Sequence, residues 1–302
     1  MIEFLIASLL ALALDRLVPD RVGLDPFGWY HEWADSIEQR FNTGTREQGW
    51  AALFLALLPI SFAILISRYV LGEIGWLFRF IFDVVVLYFC LNLNRLNSQA
   101  TELSNALESG RLLDANEHLR QLSGSSSREN ETEISSASVK TVLFELNTTT
   151  IAPLFWFLFF GPVGAVTQRM CAVLDYMWGR DNEQFQEFGK PIISVNKILG
   201  WVPARLTALS FAIVGNFEEA INNWLRRSDA WSDNRDTLQA AGFGAMHLQY
   251  ATEPEENDKT LDKPASGHVR RALALSWRVM FFWLIIVLLI SVGDVLGIFA
   301  GW

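Results

Sequence analysis

The chain has 302 residues, about half of them apolar, with 22 Phe, 12 Trp and a formal net charge of −9. The acid excess excludes the basic surface that a nucleic-acid partner needs. Only two cysteines, Cys90 and Cys171, are present and both lie in apolar runs, which excludes a disulfide framework and leaves them as small buried hydrophobes.

Charged residues still make up 19% of the chain, so lipid cannot surround all of it. The composition predicts an all-α integral membrane protein with about four transmembrane helices, re-entrant or interfacial helices and a cytoplasmic helical part. Ile2 to Leu14 is apolar, no basic residue precedes it, and Asp15–Arg16 follow where a signal peptide would have a small-residue cleavage site. It reads as a first span kept in the protein, over about 2–17. Two further spans cover about 50–71, with Pro59 inside, and 74–93, with Arg79 and Asp83 inside. The link between them is short enough to make an antiparallel hairpin. Arg79 and Asp83 stand one helical turn apart, so either they pair on one face or Arg79 snorkels to the helix end.

Residues 94–138 read as soluble. Leu96, Ala100, Leu103 and Leu107, then Leu112, Ala115, Leu119 and Leu122, recur at helical spacing with a break near Ser109–Gly110, which predicts a helical hairpin. A Ser-rich acidic loop follows over 124–133. Residues 139–250 form a core with two apolar blocks, Ile151 to Val173 and Ile192 to Val214, both carrying helix breakers. Such blocks are tolerated at membrane depth where protein or a water-filled cavity covers the backbone. Read alone, they either cross the bilayer, with the polar segment between them outside, or are re-entrant or interfacial, with that segment in the cytoplasm. Residues 251–269 read as a linker. Residues 270–302 hold the last span, charge-free between Arg278 and Asp294. Lys and Arg concentrate in 15–49, 94–140 and 216–278, which predicts those loops in the cytoplasm and both termini on the outer side of a bacterial inner membrane.

Ile151-Ala-Pro-Leu-Phe155, Leu174-Asp-Tyr-Met177, Gly179, Phe188-Gly189, Trp201-Val-Pro-Ala-Arg-Leu-Thr207 and the small-residue run Ala240 to Met246 stand in a distinctive order. More weakly, Leu14-Asp15-Arg16 and Asp25-Pro26 belong to the same pattern. In these motifs the chain resembles the CobD/CbiB family of membrane proteins of cobalamin biosynthesis. The resemblance implies a scaffold that couples an amino alcohol, or its phosphate, to a carboxylate of a corrinoid ring, with an ATP-using site on the cytoplasmic side that would keep Asp175 to Lys190 there and make the two broken blocks re-entrant or interfacial. It also departs from the family at polar positions. Gly124 to Ser127 stands where the family has a Gly-Arg-Asp-Thr run, and Lys140 and Phe144 stand at acid positions. Thr148-Thr149 replaces an Asp-Gly, and Asn196-Lys197 replaces paired acids. ATP-consuming amide synthesis needs acids for magnesium and bases for phosphate. The stripped pattern therefore resembles a divergent, AmpE-like branch of the superfamily. That implies a non-catalytic regulatory or sensory scaffold without a cofactor, working in the bilayer with a cytoplasmic regulatory partner or as a homo-oligomer. The alternative is an active amide-forming cobalamin enzyme using ATP and magnesium. A transporter is disfavoured, because few ionisable residues lie at midplane and no paired repeat is visible.

The candidate ligand pocket comprises Asp175, Arg205, Asn196, Lys197 and Glu145. Asp175 is expected either to bind a cationic ligand or to serve as a cap or ion-pair partner of Arg205 or Arg180. Arg205, in an apolar context, holds an anionic ligand or locks the fold. His31, His118, His247 and His268 lack metal-ligand spacing, so no metal site is expected.

Overall fold

The structure is a computed structural model that describes residues 2–17, 27–123, 130–179, 185–226, 233–248 and 265–295. Among these residues the regular elements are all helical. In chain order they are α1 (Ile2–Leu17), α2 (Gly28–Phe41), α3 (Arg46–Ile74), α4 (Trp76–Cys90), α5 (Leu93–Glu108), α6 (Leu112–Ser123) and α7 (Glu131–Leu146). A π-helical turn (Asn147–Ile151) leads into α8 (Ala152–Trp178), followed by α9 (Lys190–Val214), α10 (Phe217–Leu225), α11 (Asn234–Ala245) and α12 (Ala265–Val295). The expected all-α membrane class is the one found.

Five described stretches are long and apolar enough to cross a bilayer: Arg46–Ile74, Trp76–Glu108, Glu131–Trp178, Lys190–Val214 and Gly267–Ser291. About four spans were expected, and the difference arises at the start and middle of the chain. α1 has 16 residues, short of the roughly 20 that a bilayer core requires. The block expected to be re-entrant or interfacial, Ile192 to Val214, lies in one 25-residue helix with Gly200 and Pro203 inside it, which its length and composition add to the candidate spans. The 124–127 loop, Arg180, Asp25–Pro26 and most of the 251–269 linker lie outside the described residues.

The chain divides into two compact units: Met1–Leu91 with Thr148–Val202 and Leu288–Trp302, and Asn92–Asn147 with Pro203–Val287. In the first, α3 and α4 form the expected hairpin about Gly75, and α1, α2 and α8 pack on it. α8 bends at Gly161, whose φ of +62° is a left-handed conformation that glycine adopts without the penalty a Cβ imposes. Pro162 follows and removes a ladder hydrogen bond. A Cβ at Gly161 would sit 3.0 Å from the Phe4 ring. Phe4 packs edge-on to Phe157 at 5.3 Å between centroids and lies under the Arg68 guanidinium at 5.3 Å.

The charges here pair differently from the local reading. Asp83, 1% exposed, accepts from Arg68 Nε at 3.0 and 3.2 Å, while Arg79 Nη2 donates to Glu3 at 2.7 Å. Helical spacing brought Arg79 and Asp83 onto one helix face, but α1 and α3 offered each a tertiary partner. A carboxylate at this depth needs a hydrogen-bonded cation, and α3 supplies it.

In the second unit α5 and α6 form the expected helical hairpin, turning at Gly110, with Leu96, Ala100, Leu103 and Leu107 buried against Ala115 and Leu119. α10 and α11 pack closely through the small-residue run: a Cβ at Gly244 would lie 2.4 Å from the Glu219 carbonyl oxygen. Asn216 and Asp233 cap α10 and α11 by accepting backbone N–H bonds.

Candidate functional site

The five candidate residues fall in two groups. Asp175, Asn196 and Lys197 belong to the first unit, and Arg205 and Glu145 to the second. α9 carries three of them, Asn196, Lys197 and Arg205.

In the first unit, Asp175 occupies the last turn of α8. Its Oδ2 accepts from Asn196 Nδ2 at 3.0 Å, so two residues selected from sequence meet. The half-buried carboxylate is oriented by this bond, and Gly179 packs close against it. A Cβ on Gly179 would lie 2.7 Å from Oδ1. The helix-cap role does not apply at the N-terminal end, since Asp175 sits at the C-terminal end of α8, where its backbone carbonyl accepts from Gly179 N–H. Lys197 is exposed on α9. Trp156 Nε1 donates to the Leu199 carbonyl at 3.0 Å and joins the kinked half of α8 to α9.

The same face of α8 carries polar groups that sequence reading missed. Gln168, Cys171, Asp175 and Trp178 follow a 3-4-3 spacing and so share one side of the helix. Gln168, Cys171 and Trp178 are 2%, 0% and 1% exposed. The α2 end packs against this turn: Phe27 lies under the Arg169 guanidinium at 5.7 Å, and Tyr30 is fully buried near Cys171. Burial, and secondarily the charge of Cys171, pushes the Tyr30 phenol well above its ordinary range, so it stays a neutral O–H. The signal available in the sequence was Gln168, an amide within an apolar helix.

In the second unit, the second half of α9 forms a seam of polar contacts. Arg205 is 8% exposed and its Nη1 donates to Asn234 Oδ1 at the start of α11. Thr207 donates to Asn147 Oδ1 at 3.0 Å in the π-helical turn. Trp283 Nε1 of α12 donates to Ser210 at 3.2 Å. A π-helical turn of this kind recurs at functional positions, and here it holds Thr149 and Thr150, which are buried. The ring of Phe144, at a position where the family resemblance places an acid, receives the Arg235 guanidinium at 4.3 Å. Glu145 is half-buried on α7.

Among the described residues no group of three His, Cys, Asp or Glu comes together. Magnesium that arrives on nucleotide phosphates needs only one or two protein carboxylates and counts as part of that substrate.

The comparisons with known proteins extend over nearly the whole chain. The model of the family described as CobD/Cbib protein matches residues 8–278. A protein of Stutzerimonas stutzeri named "Cobalamin biosynthesis protein CobD" is 31% identical over 97% of this chain and 96% of its own length. One of the same name from Chromobacterium violaceum is 29% identical over 91% of this chain and 92% of its own. A "Probable cobalamin biosynthesis protein CobD" of Thermococcus kodakarensis is 28% identical over 95% of each. No solved structure matches the chain. These matches overturn the reading of a non-catalytic, AmpE-type regulatory scaffold. That reading weighed a handful of exchanged polar positions and required the protein itself to cage magnesium. The similarity instead runs from end to end of relatives named for cobalamin biosynthesis. The chain belongs to the CobD/CbiB family of membrane proteins.

Proposed function

We propose that this protein is a membrane enzyme of cobalamin biosynthesis that joins a small amino alcohol, or its phosphate, to a carboxylate of a corrinoid ring, consuming ATP with magnesium. The near-complete alignment with relatives named for that pathway carries the reading. The chemistry converts an ammonium and a carboxylate into an amide. The amine nitrogen bonds to the carbonyl carbon and gives up two of the ammonium's three protons, keeping one as the amide N–H, and one carboxylate oxygen departs on the phosphoryl group that ATP supplies.

Asp175, oriented by Asn196, is suited to receive the ammonium. A carboxylate there holds the cation by a charge-assisted hydrogen bond. In the second unit, Arg205, drawn toward α11 by Asn234, is by itself a cation suited to an anionic group. The basic loops support a cytoplasmic face for the site, with both termini outside the inner membrane.

The test is complementation of a bacterial strain lacking its CobD-type protein, grown where it depends on its own cobalamin synthesis. The wild-type gene is expected to restore growth. Asp175→Asn is expected to lower kcat/KM of the purified protein for the amino alcohol by about 10- to 100-fold, the worth of a charged hydrogen bond. Full activity in Asp175→Asn would remove that carboxylate from the reaction.

A further inference from the structure

The 14-residue helix α2 has three faces, and the rest of the first unit covers one of them. At about 100° per residue, Tyr30, Ala34 and Ile37 fall on one side, and all three are buried. Glu32, Asp35 and Gln39 fall on the opposite side and are exposed. Between these two faces, at a 4-3-4 spacing, runs a third stripe of Trp29, Trp33, Ser36 and Arg40. It too is exposed, Trp29 by 55% and Trp33 by 41%. Two indoles side by side on so short a helix make an apolar strip, not scattered surface residues.

The neighbouring helix identifies what covers the strip. α2 packs on α3, one of the stretches long and apolar enough to cross a bilayer. The exposed side of α3 is apolar from Phe54 through Leu58, Phe62 and Leu65 to Tyr69, as the lipid-facing side of a span must be. Aromatic residues gather at the two membrane–water boundaries. Trp50 and Tyr69 stand near the two ends of this stretch, about 28 Å apart along the axis, which matches the thickness of a hydrocarbon core. One boundary therefore lies at Trp50, about one turn into α3. The corner back to α2 is short and hydrogen-bonded: Thr43 N–H donates to Gln48 Oε1 and Gly44 N–H to Asn42 Oδ1, both at 3.2 Å. The end of α2 is thereby held at the level of that boundary. Exposed Glu32 and Asp35 exclude the helix from the hydrocarbon, and the Trp strip suits it to the layer just outside. A second copy of the chain fits the strip less well. Two partly exposed indoles offer about 250 Å² at most, far short of the about 800 Å² that each partner of a stable interface buries.

We propose that α2 is an interfacial helix whose Trp29–Trp33 strip seats in the phospholipid headgroup layer on the side of the bilayer where α3 begins. Arg40, on the same stripe, meets lipid phosphates, and Glu32 and Asp35 stay in water. The buried face of the helix carries Tyr30, and Phe27 at its start lies under the Arg169 guanidinium of α8. Lipid on one face of α2 thus braces α8 through another. This surface does not depend on the reaction proposed above.

The test uses the full chain in phosphatidylcholine nanodiscs, with a nitroxide on Ser36→Cys, in the strip, or on Asp35→Cys, on the wet face. Cys90 and Cys171 are buried, and the wild-type chain taken through the same labelling measures their background. Power-saturation EPR compares collisions with oxygen, which concentrates in lipid, and with a water-soluble nickel chelate. The oxygen-to-nickel ratio is expected to be about threefold or more higher for Ser36→Cys than for Asp35→Cys, as for a helix face seated in the interface. Adding Trp29→Ser and Trp33→Ser, which leave the buried face untouched, is expected to erase that difference. Equal ratios in the two chains that keep both indoles overturn the proposal, whether or not the tryptophan variants are recovered. So does a difference that survives the loss of both indoles. Spin–spin broadening between labels on Ser36→Cys would place a second copy on the strip and overturn it as well.

Discussion

Replacing Arg68 with leucine is expected to cost about 3–5 kcal/mol of stability, the usual penalty for stripping a buried ion of its partner. The asymmetry of burial makes Arg68 the member to remove. The Asp83 side chain is 2% exposed and that of Arg68 28%, so losing the arginine strands a carboxylate that has no route to water. The converse change, Asp83→Leu, leaves a long side chain that can snorkel, and a smaller loss is expected. Arg68→Leu combined with Asp83→Leu should recover most of the stability, because an apolar pair of similar volume is often neutral or better than a buried ion pair. Arg79→Leu is the contrast: Glu3 is 48% exposed, and pairs of that kind contribute about 0–1 kcal/mol. Thermal unfolding of the four variants in detergent checks the set. A double variant no more stable than Arg68→Leu would show that the arginine acts by some means other than neutralising Asp83.

The second large effect is expected at Gly244. A Cβ there would sit 2.4 Å from the Glu219 carbonyl oxygen, 2.6 Å from its carbon and 2.7 Å from the Ala220 Cα. All three are backbone atoms, which cannot rotate away. Gly244→Val must therefore push α10 and α11 apart and open the seam where Ala220 and Ala245 are buried. Overpacking costs about 1–3 kcal/mol even where side chains can adjust, so a loss at or above the top of that range is expected here, seen as a lower melting temperature or a fall in folded yield. Gly267→Ala is the control, since nothing lies within 4 Å of the added carbon and alanine favours a helix. Equal behaviour of the two variants would remove close helix approach as the reason for this small-residue motif.

Legibility in the sequence followed the range of the interactions. The α5–α6 hairpin could be read because its apolar residues repeat at the helical period, and because Gly110 marks a turn with a left-handed φ of 68°. The α3–α4 hairpin could be read from two long apolar runs with a short link. The partner of Asp83 could not, since α3 lies 15 residues back and local spacing favoured Arg79. The continuity of α9 was hidden by Gly200 and Pro203, which read as breakers yet sit inside one helix. At the site, Asp175 and Asn196 meet, and both stand where the family resemblance points, Asp175 in the Leu174–Met177 motif and Asn196 in place of an acid. Tyr30 was passed over, for aromatic residues in a helix ordinarily fill a core. The functional misreading had another source. Losses at Phe144, Thr148-Thr149 and Asn196-Lys197 were read as the loss of catalysis. A nucleotide that carries its own magnesium asks less of the protein, and Phe144 receives Arg235 in the place of an acid.

The most direct measurement is turnover by purified, full-length protein supplied with a corrinoid acid, a small amino alcohol or its phosphate ester, ATP and magnesium, with the product followed by mass spectrometry. The account predicts nucleotide-dependent formation of the corrinoid amide, lost when any one component is omitted. A folded, monodisperse preparation that gives no amide, beside a relative that does so under the same conditions, would contradict it.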